Sequence, residues 1–391
     1  MKNLDRPGAR DDGGFISARS VLWAATMQGF ESSVDPSIRV AHEIDEQAPF
    51  AVSEVRREER EEAEQDALAA GATRAVGAGK RERTEEPDPL RTCFERDRDR
   101  VLHSAAFRRL AGKTQVFIDP LDHQRTRLTH AMEVAQVAAA IARATRLNVE
   151  LVTAAALAHD CGHGPGGHPS EDAFGQFIPG GFDHATWGAD VALVPLNLCA
   201  ETLDAVRNHS WSRPAPSTPE GSVVSWADRI AYVCHDFEDA VSAGIVEAAE
   251  IPEIVAERCG TTHARQLSSL ITAVISTVER AGIVGMQDEM ADALAAFRSW
   301  NYERIYLRPD SIEQGRRVRA LLEGLVERYA TSPDLLPSEH AGDYESRSET
   351  AYFAAVAYVA GMTDRFAVDV ARRLLNWPEE DLPARFAVRA D

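Results

Sequence analysis

From Cys93 onward, apolar residues in this 391-residue chain recur at the three-and-four spacing of a helix face, and nowhere do they alternate for long. "RDRVLHSAAFRRLAG", "THAMEVAQVAAAIARAT", "NVELVTAAALAHD", "AETLDAVRNHS", "VVSWADRIAYVCHDFEDAVSAG", "ARQLSSLITAVISTVERAG" and "TAYFAAVAYVAGMTDRFAVDVARRLLN" all carry this pattern in Ala, Leu, Val and Ile. Only "KTQVFID" reads as extended, and it is short. The expected fold is all-α, without an internal repeat.

Three parts are expected. Residues 1–52 lack sustained periodicity and read as an N-terminal extension open to disorder, although "ISARSVLWAATMQGF" has the pattern of a short amphipathic helix. Residues 53–92 begin as a charged helix, "SEVRREEREEAEQDALAAGA", and become a loose arm rich in Gly, charge and Pro, "GAGKRERTEEPDPLRT". Residues 93–391 form the core with its C-terminal helices.

A formal net charge of −20 argues against a protein that coats nucleic acid, because phosphate neutralisation needs clustered Lys and Arg. Single-stranded DNA binding is therefore not indicated, although a local basic pocket for a small anion remains compatible. Five cysteines without a CxxC pair read as reduced thiols. No apolar run reaches membrane-spanning length, and the acidic start "MKNLDRPGARDDGG" is unlike a secretory leader. The expected location is the cytoplasm.

The chemistry concentrates on three of the helical segments. His130 sits in the first turn of one, the pair His159–Asp160 ends the next, and Asp228 lies on a third. Two imidazoles and two carboxylates in apolar surroundings are costly to bury unless they share a cation. Neighbouring residues on a helix diverge by about 100°, so His159 and Asp160 can reach one ion only near a helix end, which Gly162 and Pro165 signal. His163, His168 and His184 follow closely, a dense share of the twelve histidines. These N and O donors suit Mn²⁺ or Mg²⁺, and also Fe²⁺, Co²⁺ or Ni²⁺, better than a thiolate zinc site. Asp228, Tyr232 and Asp236 recur at i, i+4, i+8, with Arg229 beside them, and form a polar wall. "GHGPGGH" is not a phosphate-binding Walker loop, because no Gly-Lys-Ser/Thr follows it.

The His…His-Asp…Asp order resembles the HD-domain metal-dependent phosphohydrolases. "CFERDRDRVLHSAAFRRLAGKTQVF", "RTRLTHAMEVAQVAAAIAR", "ALAHDCGHGPGGHPSED", "GFDHATWGADV", "RNHSW", "ADRIAYVCHDFEDAV" and "GMTDRFAVDVARRL" together resemble the deoxyguanosine triphosphate triphosphohydrolase family, from about Ser53 to about Leu375. The resemblance implies an HD-domain helical bundle that hydrolyses a deoxynucleoside triphosphate to deoxynucleoside and inorganic triphosphate. It also implies a homo-oligomer and a nucleotide activator. His130, His159, Asp160 and Asp228 would hold the metal, and Arg127 would contact the α-phosphate. His168 would handle the proton with Glu171 as its acidic partner, folding back to raise its pKa, and His163 would line the phosphate pocket. Arg229, Tyr232 and Asp236 would meet phosphate or the deoxyribose 3′-OH, His184 would line the pocket, and Arg109 would approach sugar or base. Where the family reads Leu-Gly-His-Pro-Pro-Phe-Gly-His, this chain has "CGHGPGGH", which predicts a more flexible loop. Two other readings stay open on the residues alone: an HD phosphohydrolase for a nucleoside monophosphate or signalling nucleotide, and a non-catalytic nucleotide-sensing or single-strand-binding scaffold.

Overall fold

The computed structural model describes residues 17–27, 29–42, 53–118, 120 and 123–383. The expectation for residues 1–16 and 43–52 lies outside the described residues. Backbone contacts divide the chain after Glu54 into two compact units.

In the first unit the expected amphipathic helix forms as α1 (Ala18–Ala25), capped by Ser17 Oγ, which accepts from the Ser20 N–H at 3.1 Å. Phe30–Glu31 and Arg39–Val40 then pair antiparallel, Phe30 opposite Val40. Two residues per strand are too few to write an alternating pattern, so the hairpin is invisible in the sequence.

The second unit is helical: α2 (Arg57–Ala67), α3 (Cys93–His103), α4 (Ala105–Arg109), α5 (Arg127–Thr145), α6 (Val149–Ala158), α7 (His168–Gly175), α8 (His184–Trp187), α9 (Ala200–Arg207), α10 (Pro219–Ser242), α11 (Glu253–Cys259), α12 (His263–Ala281), α13 (Asp288–Asn301), α14 (Pro309–Thr331), α15 (Glu349–Ala360) and α16 (Asp364–Leu375). The protein is all-α, as its periodicity predicts. "KTQVFID" builds no strand among the described residues; only Thr114 makes an isolated bridge, to Thr126.

Local signals explain where the helices that carry the site begin. Thr92 and Glu95 form a reciprocal capping box at α3, Asn148 Oδ1 accepts from the Glu150 and Leu151 N–H groups at α6, and Thr218 followed by Pro219 starts α10. α5 packs on α6, α10 and α12, and small residues such as Ala131, Ala135, Ala138, Ala155, Ala227 and Ala231 join its core. Without side-chain bulk there, the helices that carry the ligands approach closely. A second core gathers α14, α15 and α16 around Phe174 of α7, Trp187 of α8 and Phe182 of the loop between them.

The arm between α2 and α3 is not loose. Arg81 Nη1 lies 2.6 Å from the buried Asp97 Oδ1, Arg81 Nη2 donates to the Cys93 carbonyl at 3.0 Å, and the Lys80 carbonyl accepts from the Ala200 N–H at 2.8 Å. A buried guanidinium on a buried carboxylate holds residues whose composition alone reads as linker. Among the described residues no helix is long and apolar enough to cross a membrane, and all five cysteines are free.

Candidate active site

α5, α6 and α10 converge at one point. His130, in the first turn of α5, places Nε2 3.1 Å from Asp228 Oδ1 of α10. His159 caps the C-terminus of α6, and its Nε2 lies 3.5 Å from Asp160 Oδ1 and 3.6 Å from Asp228 Oδ1. The helix end lets His159 and Asp160 turn to one point, as the spacing requires. His159 Nδ1 donates to the Ala156 carbonyl at 2.7 Å, which leaves Nε2 bare. That Nε2 is buried and without a hydrogen-bond partner. A buried ring nitrogen facing two carboxylates is satisfied by a proton or by a metal cation in its place, and the clustered His and Asp atoms lie close enough together to hold a divalent metal.

Burial opposes charge on His159, but Asp160 and Asp228 beside it raise its pKa to about 9. Burial likewise opposes ionisation of Asp160, yet Arg127 and the surrounding histidines hold its carboxyl well below the usual range. For Asp228, burial is outweighed by the hydrogen bond with His130 and by the His159 imidazole beside it, and its pKa is again well lowered. The two carboxylates are thus ionised at neutral pH.

Arg127 opens α5 and is fully enclosed. Its Nη1 donates to Asp160 Oδ2 at 2.6 Å, while Nε and Nη2 have no partner. One guanidinium therefore clamps the Asp160 carboxylate and keeps two donors in reserve. Arg125, by contrast, is spent in ion pairs with Glu133, Glu238 and Asp239.

A cavity of about 1000 Å³ opens on this cluster, and Arg127, His130, Asp160, His163, His168, His184, Asp228, Arg229, Tyr232 and Asp236 all line it. The polar stripe of α10 is therefore a cavity wall. Arg229 stacks over Trp211 at 3.5 Å from the ring centre, and the Tyr232 hydroxyl accepts from Arg298 Nε at 2.8 Å. Asp236 accepts from the Tyr306 hydroxyl through Oδ2, and its buried Oδ1 has no partner. Burial pushes Asp236 up to about 8 against that hydrogen bond.

Three expectations are corrected. Arg109 does not reach the cavity: it is exposed at the end of α4, because Phe107 and Leu110 turn inward and carry position 109 to the opposite side. Glu171 hydrogen-bonds His184 rather than His168. Its Oε1 accepts from His184 Nδ1 and, at 3.2 Å, from the His184 N–H, an orphan donor at the start of α8. His168 keeps an edge open to the cavity, yet the enclosing protein and the Arg127 guanidinium lower its pKa despite the charge of Glu171. The ring is neutral at pH 7.

The glycine-rich loop is packed rather than slack. Residues 161–167 are buried, Ser170 Oγ donates to the Gly167 carbonyl at 2.6 Å, and Lys113 Nζ donates to the His163 carbonyl. Gly167 has φ +73°, and a Cβ there would meet Arg127 Nη2 at 2.7 Å. Gly167 is thus a close approach of backbone to the site, whereas Gly164 and Gly166 make room for Phe174, Ser170 and Val318.

Some participants carry no spacing signal. His209, in "RNHSW", donates from Nδ1 to the Val206 carbonyl at 2.7 Å and sets Nε2 3.2 Å from His184 Nε2. Burial lowers it to about 4. Tyr306 and Arg298 reach the cavity from the end of α13, where Tyr302–Tyr306 winds as a π turn.

Comparison with known proteins agrees with this geometry. The HD domain family matches residues 127–233, and the phosphohydrolase-associated domain matches residues 284–373. A deoxyguanosinetriphosphate triphosphohydrolase-like protein of Caldanaerobacter subterraneus subsp. tengcongensis is 37% identical over 335 residues, 84% of this chain and 96% of the relative. A protein of the same description from Clostridium perfringens (strain 13 / Type A) is 39% identical, covering 74% of this chain and 88% of the relative. Another, from Roseobacter denitrificans, is 32% identical over 75% of this chain and 93% of its own length.

Proposed function

The chain belongs to the family of deoxyguanosinetriphosphate triphosphohydrolase-like HD-domain proteins, and on that premise we propose that it hydrolyses a deoxynucleoside triphosphate to deoxynucleoside and inorganic triphosphate. The observation that carries the reading is one cavity of about 1000 Å³ lined by His130, Asp160 and Asp228, by Arg127 with its unpaired donors, and by the Asp228–Tyr232–Asp236 wall. That volume is at the upper end for a small-molecule pocket and suits a nucleotide.

His130, His159, Asp160 and Asp228 would hold a divalent ion, Mn²⁺ or Mg²⁺. When bound, it would polarise the α-phosphoryl group and make water a better nucleophile at neutral pH. Arg127 donates from Nη2 and Nε to the α-phosphate while Nη1 keeps Asp160 in place, so binding and ligand orientation depend on one side chain. Arg229, steadied by Trp211, and His163 meet the remaining phosphate oxygens.

Water attacks the α-phosphorus, the bond from phosphorus to the 5′ oxygen breaks, and that oxygen leaves as the deoxynucleoside hydroxyl. His168, neutral at pH 7, accepts the proton that water loses and returns it to the departing oxygen. Glu171 acts one residue away from that exchange, by fixing His184. Tyr232 packs against the sugar and crowds a 2′ hydroxyl. Asp236 Oδ1, buried and unpartnered, hydrogen-bonds the 3′-OH.

The test is incubation with each deoxynucleoside triphosphate and Mn²⁺ or Mg²⁺, followed by chromatography. Equimolar deoxynucleoside and triphosphate are expected. Orthophosphate, pyrophosphate or no product would overturn the reading and favour a different HD phosphohydrolase or a binding scaffold.

A further inference from the structure

The carboxylate of Asp364, the first residue of α16, lies far along the chain from every group assigned above, yet it is spent on Thr114 and Gly166, two residues that line the cavity. Its Oδ2 accepts from the Thr114 N–H at 2.9 Å and the Thr114 hydroxyl at 2.6 Å, and its Oδ1 accepts from the Gly166 N–H at 2.8 Å. The side chain is buried, so these are charge-assisted bonds shielded from solvent.

Both segments that it joins carry site residues. Thr114 bridges Thr126, and the Arg127 N–H donates to the Lys113 carbonyl at 3.1 Å, so residues 113–114 set the start of α5 with Arg127 and His130. Gly166 belongs to the loop between His163 and His168. Lys113 reinforces the joint: its Nζ donates to the carbonyls of His163 and, at 2.9 Å, of Ala360, the last residue of α15. At Gly167 the two segments approach so closely that a Cβ would lie 3.3 Å from the Thr114 carbonyl. The C-terminal helices thus reach into the gap between the arginine and the histidines.

We propose that Asp364 is a positioning residue that holds the His163–His168 loop in register with Arg127, making the C-terminal helical segment part of the active site's geometry rather than an appended layer. The inference rests on the proposed hydrolysis for its kinetic readout but not for its structural one. Asp364→Asn keeps the size and one oxygen, but its amide must face a donor at Thr114 or Gly166, so the loop loses a bond and shifts.

The variant is compared with the parent chain by steady-state kinetics on the best deoxynucleoside triphosphate, by thermal melting, and by NMR of labelled histidine rings. A cooperatively melting Asp364→Asn should keep its KM while kcat falls about 100-fold, the loss expected for a misplacement of about 1 Å. The His163 and His168 ring signals should move. Thr114→Val, which removes only the hydroxyl donor, should do the same to a smaller degree, and it carries the test if Asp364→Asn does not fold. Parent-like kcat with unmoved His163 and His168 signals in either folded variant overturns the proposal. If the parent chain hydrolyses no deoxynucleoside triphosphate, the functional reading fails, and the ring signals alone decide the role of Asp364.

Discussion

Arg127 Nη1 sits 2.6 Å from Asp160 Oδ2, and both side chains are almost wholly removed from solvent. The cation that opens α5 is therefore already committed to the Asp160 carboxylate. A buried pair of this kind is strongly coupled: taking one member away leaves the other charged and unpaired.

Arg127→Met should destabilise the metal-free chain by about 3–5 kcal/mol, the cost of stranding a buried charge. Denaturant unfolding would measure it. Turnover should fall in the same variant even at saturating metal, because Nε and Nη2 are lost with Nη1.

Asp160→Ala should abolish both stoichiometric metal after dialysis and triphosphate release, since Asp160 serves the cluster and receives Arg127. Metal analysis and product chromatography check the two effects separately. Full activity in this variant would remove the basis for the metal assignment.

Metal affinity should fall as the pH drops from about 9, because the His159 Nε2 proton must leave before the nitrogen can ligate. The dependence is about tenfold per pH unit for one proton. Calorimetry at pH 7 in buffers of different ionisation enthalpy should register the released proton. The sign reverses for the metal-free fold. His159 is raised from its ordinary 6.5, so its contribution is complete below about 6.5 and lost as the pH rises through about 9.

Asp236→Asn should raise the melting temperature of the substrate-free protein at pH 8 and above while raising KM. Burial lifts Asp236 from 3.8 to about 8, so the folded chain retains a proton that the unfolded chain has released, and stability declines across that window. The amide removes the decline, visible as a flatter melting-temperature profile, but weakens the acceptor meant for the 3′-OH.

Trp211→Ala should raise KM about tenfold with little change in kcat, matching the loss of a cation–π contact of about 1–2 kcal/mol under Arg229. Steady-state kinetics separate the two constants.

Much of this was written locally. The fold class, α5 and α10, the helix-end placement of His159 and Asp160, and the stripe of Asp228, Tyr232 and Asp236 follow from period, caps and Gly-Pro punctuation. The proximity of His130, the His159–Asp160 pair and Asp228 was legible for the same reason: they occupy distinctive places on three helices, at the first turn of α5, at the end of α6 and within α10. The packed arm was misread because Gly, Pro and charge look alike whether solvated or strapped down, and only the Arg81–Asp97 pair decides between them.

What the sequence by itself determined is the inventory: helices, their buried faces, and the donors that want a cation. Only the tertiary structure decided who pairs with whom. It gave Glu171 to His184, turned Arg109 away from the cavity, and delivered Tyr306 to Asp236 and Asp364 to Gly166. Periodicity describes each helix against its own axis and says nothing of distances between residues far apart in the chain. Those distances are set by how whole helices pack, and a hydrogen bond forms or fails within a fraction of an ångström.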